Sequence, residues 1–214
     1  MTDPYYGPRF ARTYPYPWKD TSKNGTYDPA KTLSVADGLL DVNLHTAGSE
    51  ICVAAVEPTL ALSTRGQTYG RYAIRFRADA VPGYKTAWLL WPDSGLRSEG
   101  EIDFPEGDLD GTIRAYMHHA SNDGTGTSPG VQDAFRSSSG YPNWHTAVIE
   151  WSPGLVRFLL DGALLGTSTS QVPSRPMHWV IQTETALGGV VPAPSAAGHV
   201  EIDWVAAGAY TPGA

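Results

Sequence analysis

The most informative part of the sequence is residues 100–107, which read Gly100-Glu101-Ile102-Asp103-Phe104-Pro105-Glu106-Gly107. Three acidic residues stand there in the spacing E-x-D-x-x-E. Successive side chains of a β-strand point to opposite faces, so Glu101 and Asp103 share one face of the predicted strand. A β-bulge, which is one extra residue, returns Glu106 to that face, and Pro105 is typical of a bulge because proline cannot donate to a ladder of hydrogen bonds. The spacing therefore predicts a bulged strand with three carboxylates on one side.

Three neighbouring carboxylates repel one another, and a strand with a purely structural role rarely keeps them. Crowding raises the pKa of one carboxyl group, whereas hydrogen bonds to the charged form keep another ionised. Cleavage of a glycosidic bond needs one acid and one carboxylate, and the two stand about 5–5.5 Å apart when the anomeric configuration is retained. Two glutamates on one strand favour this short distance. On spacing alone, a solvated acidic strand and a calcium-binding loop are the alternatives.

The composition indicates one domain that binds neither nucleic acid nor membrane. The chain has 214 residues, of which 17 are Pro and 23 are Gly, and these interrupt it too often for long helices. The net charge of -7, without a basic stripe, argues against a nucleic-acid partner and against an anionic membrane surface. No apolar run reaches the roughly 20 residues of a membrane-spanning helix. Cys52 is the only cysteine and stands among apolar residues, so we expect it to be buried and unpaired.

Alternation of apolar and polar residues predicts about a dozen short strands. Leu40, Val42 and Leu44 are predicted to face inward, and residues 87–91 are apolar on both faces, as in a central strand. Residues 121–140 are polar and glycine-rich, which predicts a long loop. The clearest predicted strands are 39–46, 50–57, 70–79, 87–91, 112–119, 145–151, 155–160, 177–187 and 199–210. This pattern predicts an all-β fold, a concanavalin-like jelly-roll β-sandwich of two antiparallel sheets.

Two parts of the chain differ in composition. Residues 1–32 are rich in Tyr, Pro and Gly with little periodicity, which predicts an irregular N-terminal arm packed on the body of the domain or partly lining a cleft. Residues 33–214 carry the strand pattern with no linker and no repeat. They are predicted to form a single β-sandwich domain that holds the acidic strand.

Several segments, in order along the chain, resemble glycoside hydrolase family 16, the jelly-roll endo-glycanases that include laminarinases, licheninases and agarases. The resemblance covers roughly residues 33–210, and its most specific part is residues 100–106, which are similar to the family's signature in its bulged form. The other matching segments are 69–75, 87–90, 144–151, 158–162 and 200–205. The resemblance implies a jelly roll whose acidic strand lies in a substrate cleft.

By this resemblance, Glu101 is the catalytic nucleophile, Glu106 is the general acid/base, and Asp103 holds the geometry and charge of Glu101. His118, on the strand after the motif, matches a cleft histidine of the family, and we expect His119 to point away. No cofactor is implied for the chemistry.

The residues predicted to bind substrate are Trp88, Trp91, His118, Trp144, Gln182 and Glu184. Trp88 is a candidate for stacking on a sugar ring, with packing in the core as the alternative. Trp151 and Trp204 lie on apolar strand patterns and are predicted to be core residues. Asp203 matches a side-chain ligand of a structural calcium in the family, and an ordinary role in the closing strand is the alternative.

The resemblance implies a retaining endo-acting hydrolase of a β-linked polysaccharide, most directly a β-1,3- or mixed-linkage β-glucan. We expect a secreted, extracellular monomer made with a signal peptide that this sequence does not include. Two departures bear on the substrate: Leu96-Arg97 stand where laminarinases commonly carry Trp-Pro, and Gln182 replaces an asparagine. A galactan or another cell-wall polysaccharide, hydrolysed or transglycosylated, is therefore the alternative. A non-catalytic carbohydrate-binding jelly roll is the alternative from another class, and the three crowded acids argue against it.

Overall fold

The computed structural model describes residues 10–11, 14–59, 65–121, 131–188 and 190–213. Within them, the helical segments are α1 (Pro29–Thr32) and a 3₁₀ turn at Arg97–Glu99, and neither is long and apolar enough to cross a bilayer. The strands are β1 (Phe10–Ala11), β2 (Trp18–Lys19), β3 (Gly25–Tyr27), β4 (Leu33–Ala36), β5 (Leu39–Ala47), β6 (Glu50–Pro58), β7 (Gly70–Ala78), β8 (Tyr84–Pro92), β9 (Glu101–Asp108), β10 (Arg114–His118), β11 (Gln132–Arg136), β12 (His145–Ser152), β13 (Leu155–Leu160), β14 (Ala163–Ser168), β15 (Met177–Thr185) and β16 (Gly198–Gly208).

The strands form two layers joined by a hairpin. The first layer has the hydrogen-bonded order β11-β10-β9-β8-β15-β6, and the second has the order β5-β16-β7-β12-β13-β14. The β5–β6 hairpin joins the layers, and every pair along this order is antiparallel, as predicted. At the far edges, Phe135 of β11 packs against Gly166 of β14, where an added Cβ atom would lie 2.2 Å from the ring. The sheet therefore curls until its two ends nearly meet.

Aromatic side chains from the two layers meet in the core. Trp88 of β8 packs edge-on against Phe76 of β7 with ring centroids 5.1 Å apart, and Phe104 of β9 meets Phe158 of β13 at 5.6 Å. Such pairs stabilise the stacked layers beyond the burial of their area. Trp88 has 0% exposure, so it cannot stack on a ligand at the surface. Its prediction as a sugar-binding residue is corrected in favour of the core alternative.

The inward-facing residues of the strands were predicted well, with one exception. Leu40, Val42 and Leu44 are buried as the alternation predicts. Trp204, predicted to be a core residue, is 40% exposed. The pairing of β16 with β7 shifts by one residue between Ile202 and Trp204, and this bulge reverses the faces of the residues that follow. Trp204 therefore points outward.

Two segments are more regular than the sequence predicted. In the described part of residues 1–32, β1, β2, β3 and α1 are formed, and β3 pairs in parallel with β6. Within the predicted loop of residues 121–140, β11 pairs with β10 at the edge of the first layer. An edge strand buries little of its surface and needs few apolar residues. The hydrophobic pattern therefore carried no signal for β11.

Replacing Trp88 by alanine is expected to lower the free energy of unfolding by about 3–5 kcal/mol, because the substitution leaves a cavity between the layers. The matched control is Trp204→Ala, which removes the same side chain from a position that is 40% exposed and should cost far less. Urea unfolding of both variants measures the difference. Equal losses would contradict the placement of Trp88 in the core.

Candidate active site

The predicted bulge is present in β9 and sets the direction of its acidic side chains. On β8, Ala87 and Leu89 are two residues apart, whereas their partners Glu106 and Asp103 on β9 are three apart. The pairing of β9 with β10 shows the same shift, so the extra residue belongs to β9. Phe104 is buried between the layers. The bulge thus lets β9 bury apolar residues on one face and carry three carboxylates on the other.

The carboxylates lie in a cleft of about 660 Å³ on the outer face of the first layer. Alternate residues of β8, β9, β10 and β15 form its floor. The predicted site residues that line this cleft are Trp91, Glu101, Asp103, Glu106, His118, Gln182 and Glu184. His119 points away, as expected, and its Nε2 lies 3.3 Å from the Asp133 carboxylate of β11. The structure therefore brings together most of the residues that the sequence predicted for one site.

Glu101, Asp103 and His118 form one cluster in the cleft, in which Asp103 is buried and the other two are partly exposed. Nε2 of His118 lies 3.0 Å from Oδ2 of Asp103, and a carboxylate oxygen of Glu101 lies within 4.8 Å of both residues' polar atoms. Burial raises the pKa of Glu101 well above its usual range, and the charge of Asp103 raises it further. Burial also raises the pKa of Asp103, with the charge of Glu106 adding to the effect. The pair can therefore share a proton at a pH where ordinary carboxyls have lost theirs.

Glu106 has a different environment, because its neighbour is a cation. Nζ of Lys85 lies 2.8 Å from Oε1 of Glu106 and 3.5 Å from Oε1 of Glu184. Burial opposes the charged form of Lys85, but the two carboxylates outweigh burial and raise its pKa. The ammonium group therefore stays charged. The two glutamates of the motif therefore differ in surroundings: Glu101 lies beside the carboxyl group of Asp103, and Glu106 lies beside the ammonium group of Lys85.

The N-terminal arm reaches the cleft, which was one of its two predicted placements. The Tyr14 hydroxyl donates a hydrogen bond to Oε1 of Gln182 at 3.3 Å. The Tyr27 hydroxyl and the backbone N–H of Thr21 both donate to Oε2 of Glu184, at 2.6 Å and 3.3 Å. The arm thereby holds two side chains of β15 that face the cleft.

A second charged cluster surrounds His178 at the other end of the cleft. Nδ1 of His178 lies 2.8 Å from Oδ1 of Asp93, and its Nε2 lies 3.6 Å from Oε1 of Glu57. Arg65 forms an ion pair with Glu57. His178, Asp93 and Arg65 line the cleft, so this end presents several hydrogen-bonding groups suited to a ligand rich in hydroxyls.

Trp144 lies away from the cleft, and its prediction as a binding residue is corrected. Arg75 and Arg77 of β7 lie over its ring, at 4.5 Å and 5.0 Å from the ring centroid. β7 belongs to the second layer, and these arginines alternate with its buried residues. Trp144 therefore covers the outer face of the opposite layer, where cation–π contacts occupy its ring.

Asp203, the calcium ligand that the resemblance suggested, has a cationic partner within the chain. It lies at the bulge of β16 and forms an ion pair with Arg75. Calcium takes about 6–8 oxygen ligands, most of which backbone carbonyls and waters can supply, so calcium binding at Asp203 stays a prediction. Among the described residues, Glu101, Asp103 and His118 are the group that could hold a metal ion, with ligand atoms within 4.8 Å of one another.

Sequence reasoning missed Lys85, His178 and Tyr14 as site residues. Lys85 is a single basic residue in the apolar strand β8, and His178 similarly interrupts an apolar stretch of β15. A charged residue in a buried strand needs a partner of opposite charge, so its presence in the sequence indicates a nearby acidic residue. Tyr14 lies in the arm, where nothing in the local pattern indicates which side chain reaches the cleft.

The fold matches solved jelly-roll structures. The Bacillus licheniformis β-glucanase superposes with a TM-score of 0.72 over 94% of this chain and 92% of that chain, at 16% identity. SCLam, described as a non-specific endo-β-1,3(4)-glucanase, gives a TM-score of 0.69 over 89% of this chain and 79% of that chain, at 19% identity. The predicted jelly roll is therefore confirmed.

A model of the family "Glycosyl hydrolases family 16" matches residues 30–206. The chain belongs to this family, as the sequence resemblance indicated. Among curated proteins, the β-glucanases of Paenibacillus macerans and Paenibacillus polymyxa are each 26% identical to it over 117 residues, which is 53% of this chain. The match spans 47% of each relative, or about half its length. The chemistry of the family needs no catalytic cofactor.

Asp103→Asn is expected to raise the thermal unfolding midpoint at pH 7. The pKa of Asp103 is higher in the folded protein than in the unfolded chain, so stability falls as the pH rises from the unfolded pKa through the folded pKa. A neutral amide escapes this loss, which is on the order of 1 kcal/mol for each unit of pKa difference. The gain should vanish below about pH 4, where both states hold the proton.

Thermal unfolding between pH 3 and pH 8 measures this effect. The control is Asp110→Asn, which neutralises an exposed acid and should leave the midpoint nearly unchanged. An Asp103→Asn variant no more stable than the wild type at pH 7 would contradict the cost assigned to the buried carboxylate.

Proposed function

We propose that this protein is a retaining, endo-acting hydrolase of a β-linked polysaccharide, with a β-1,3- or mixed-linkage β-glucan as the substrate. The observation that carries the proposal is the pair of glutamates on the cleft face of β9. Glu101 lies beside Asp103 and His118, and Glu106 lies beside Lys85. Two carboxyl groups with unlike surroundings, facing one cleft, are what double displacement at an anomeric carbon requires.

In the proposed reaction, the Glu101 carboxylate attacks the anomeric carbon while Glu106 donates its proton to the glycosidic oxygen. The leaving sugar departs, and a covalent glycosyl-enzyme remains. Glu106 then takes a proton from water, whose oxygen attacks the same carbon and releases Glu101. Asp103 and His118 hold the nucleophile and move the shared proton off Glu101 before attack. A sugar hydroxyl in place of water would give transglycosylation.

The cleft supports a polysaccharide substrate. Trp91 is partly exposed in the cleft and offers an apolar surface to a sugar ring, while Gln182 and Arg97 offer hydrogen-bond donors. The similarity of this chain to proteins named β-glucanases favours a glucan as its substrate. A galactan or another cell-wall polysaccharide is the second candidate, because Gln182 and Leu96-Arg97 depart from the laminarinase pattern. We further propose that the protein acts outside the cell, where polymeric glycans occur, as a monomer whose own strands β8, β9, β10 and β15 carry the catalytic and binding residues.

Glu101→Gln and Glu106→Gln are each expected to lower kcat by about 10²–10⁴-fold with the fold intact, because each removes one of the two catalytic groups. The variants should differ on an aryl glycoside whose leaving group needs no protonation. Glu106→Gln should still form the glycosyl-enzyme from it, and azide should partly restore its turnover. Glu101→Gln should do neither.

Kinetics on the aryl glycoside with and without azide separate the two roles, and circular dichroism checks the fold. Glu99→Gln is the control, because Glu99 precedes the motif and hydrogen-bonds Ser94 outside the carboxylate cluster. Identical responses of the two catalytic variants would refute the assigned roles. A wild-type protein that binds a panel of β-glucans and galactans without shortening them would favour the carbohydrate-binding alternative.

A further inference from the structure

Lys85 is the unusual residue of this cleft, because lysine is seldom buried unless it is paired. It is 5% exposed and lies on the cleft face of β8 among residues that are otherwise apolar or uncharged. Its ammonium group bridges two carboxylates on neighbouring strands, Glu106 on β9 and Glu184 on β15. Lys85 therefore connects the bulged strand to the strand on the opposite side of β8.

The second partner of Lys85 is held rigidly. Glu184 is 1% exposed, and its Oε2 accepts hydrogen bonds from the Tyr27 hydroxyl at 2.6 Å and from the backbone N–H of Thr21 at 3.3 Å. Asp20, which is fully buried, fixes this part of the arm by accepting from the backbone N–H of Thr185 at 2.9 Å. Glu184 therefore keeps one oxygen for the arm and the other for Lys85.

Part of this support lies outside the family match. The family model begins at residue 30, whereas Asp20, Thr21 and Tyr27 precede it. The arm, Glu184 and Lys85 thus form a chain of contacts that ends at the Glu106 carboxylate.

The charges around Glu106 give Lys85 a specific electrostatic effect. The titratable and charged groups facing Glu106 are Glu101, Asp103 and Asp108 on β9, Lys85 on β8, Glu184 on β15, Arg114 and Tyr116 on β10, and Tyr141. Arg114 is exposed and hydrogen-bonds Tyr116. Among the described residues, Lys85 is therefore the cation in direct contact with Glu106. Most of the other charged groups around Glu106 are acidic, and the positive charge of Lys85 acts against theirs.

We propose that Lys85 is a positioning residue that fixes the Glu106 carboxyl toward the cleft and, through its charge, lowers the pH at which Glu106 gives up its proton. The inference rests on the proposed role of Glu106 as general acid. It deepens that role, because a general acid acts only while it holds its proton, so the charges beside its carboxyl set the highest pH of turnover. The positive charge of Lys85 lowers this limit, and the negative charge of Glu184 raises it.

The test is a ¹³C NMR titration of the Glu106 carboxyl, with its signal identified by its loss in Glu106→Gln. In Lys85→Met the titration midpoint should rise by about one pH unit or more, since an opposite charge within 4–6 Å has an effect of this size. In Glu184→Gln the midpoint should fall, because an anion is lost while the amide oxygen still accepts from Tyr27. Lys85→Arg should stay near the wild type.

The matched control is Lys31→Met, which removes the same charge from an ion pair with Glu50 that lies outside the cleft. It should leave the midpoint unchanged. Opposite shifts in Lys85→Met and Glu184→Gln support the proposal, because loss of packing alone would not move the midpoint in two directions. If Lys85→Met does not fold, Glu184→Gln decides, and an unshifted midpoint there overturns the proposal.

Activity then separates this inference from the function on which it rests. The alkaline limb of kcat/KM should follow the NMR midpoints in the same variants. If Glu106→Gln retains full activity, the proposed function fails, while the NMR shifts still test the effect of Lys85. If Glu106→Gln is inactive and Lys85→Met leaves the alkaline limb where it is, the inference on Lys85 alone is overturned.

Discussion

The bulge in β9 is the constraint on which the site depends. A strand with regular alternation would place Glu106 on the core face, where burying an unpaired carboxylate costs several kcal/mol. The extra residue returns Glu106 to the cleft side, beside Glu101 and Asp103, while Phe104 remains in the core. The packing of the two layers and the composition of the cleft therefore follow from a single irregularity in one ladder of hydrogen bonds.

Placing several carboxylates together requires compensation, and the cleft provides it in two ways. Asp103 and Glu101 both have raised pKa values and can share one proton, so their charges need not be present together, and Asp103 also contacts His118. Glu106 forms an ion pair with the charged ammonium group of Lys85. The two glutamates of one strand thus have unlike neighbours on opposite sides, the Asp103–His118 pair toward β10 and Lys85 on β8. A retaining glycosidase requires such a division of roles.

The sequence predicted local features well and long-range ones poorly. The spacing of Glu101, Asp103 and Glu106 predicted the bulge, and alternation predicted the buried face of β5. These features depend only on the period of a strand. The face of Trp88 was left open because β8 is apolar on both sides, so periodicity carries no information there.

Contacts between segments far apart in the sequence leave no local pattern from which they could be predicted. The ion pair of Lys85 with Glu184 joins residues far apart in sequence, and the contacts of the arm with β15 are of the same kind. Trp144 and Asp203 were assigned by resemblance, and their partners in this chain are arginines of β7. A resemblance carries the motif that makes the chemistry, but the surroundings of each matched residue are specific to the chain.

The central claim is that Glu101 and Glu106 act together by double displacement from one strand. The most direct measurement is proton NMR of the anomeric signal of the first product released from a β-linked oligosaccharide, before mutarotation. Two inversions at one carbon predict that the β anomer appears first. An α anomer appearing first would contradict the account, because it would require a water between the carboxylate and the sugar in place of a covalent bond to Glu101.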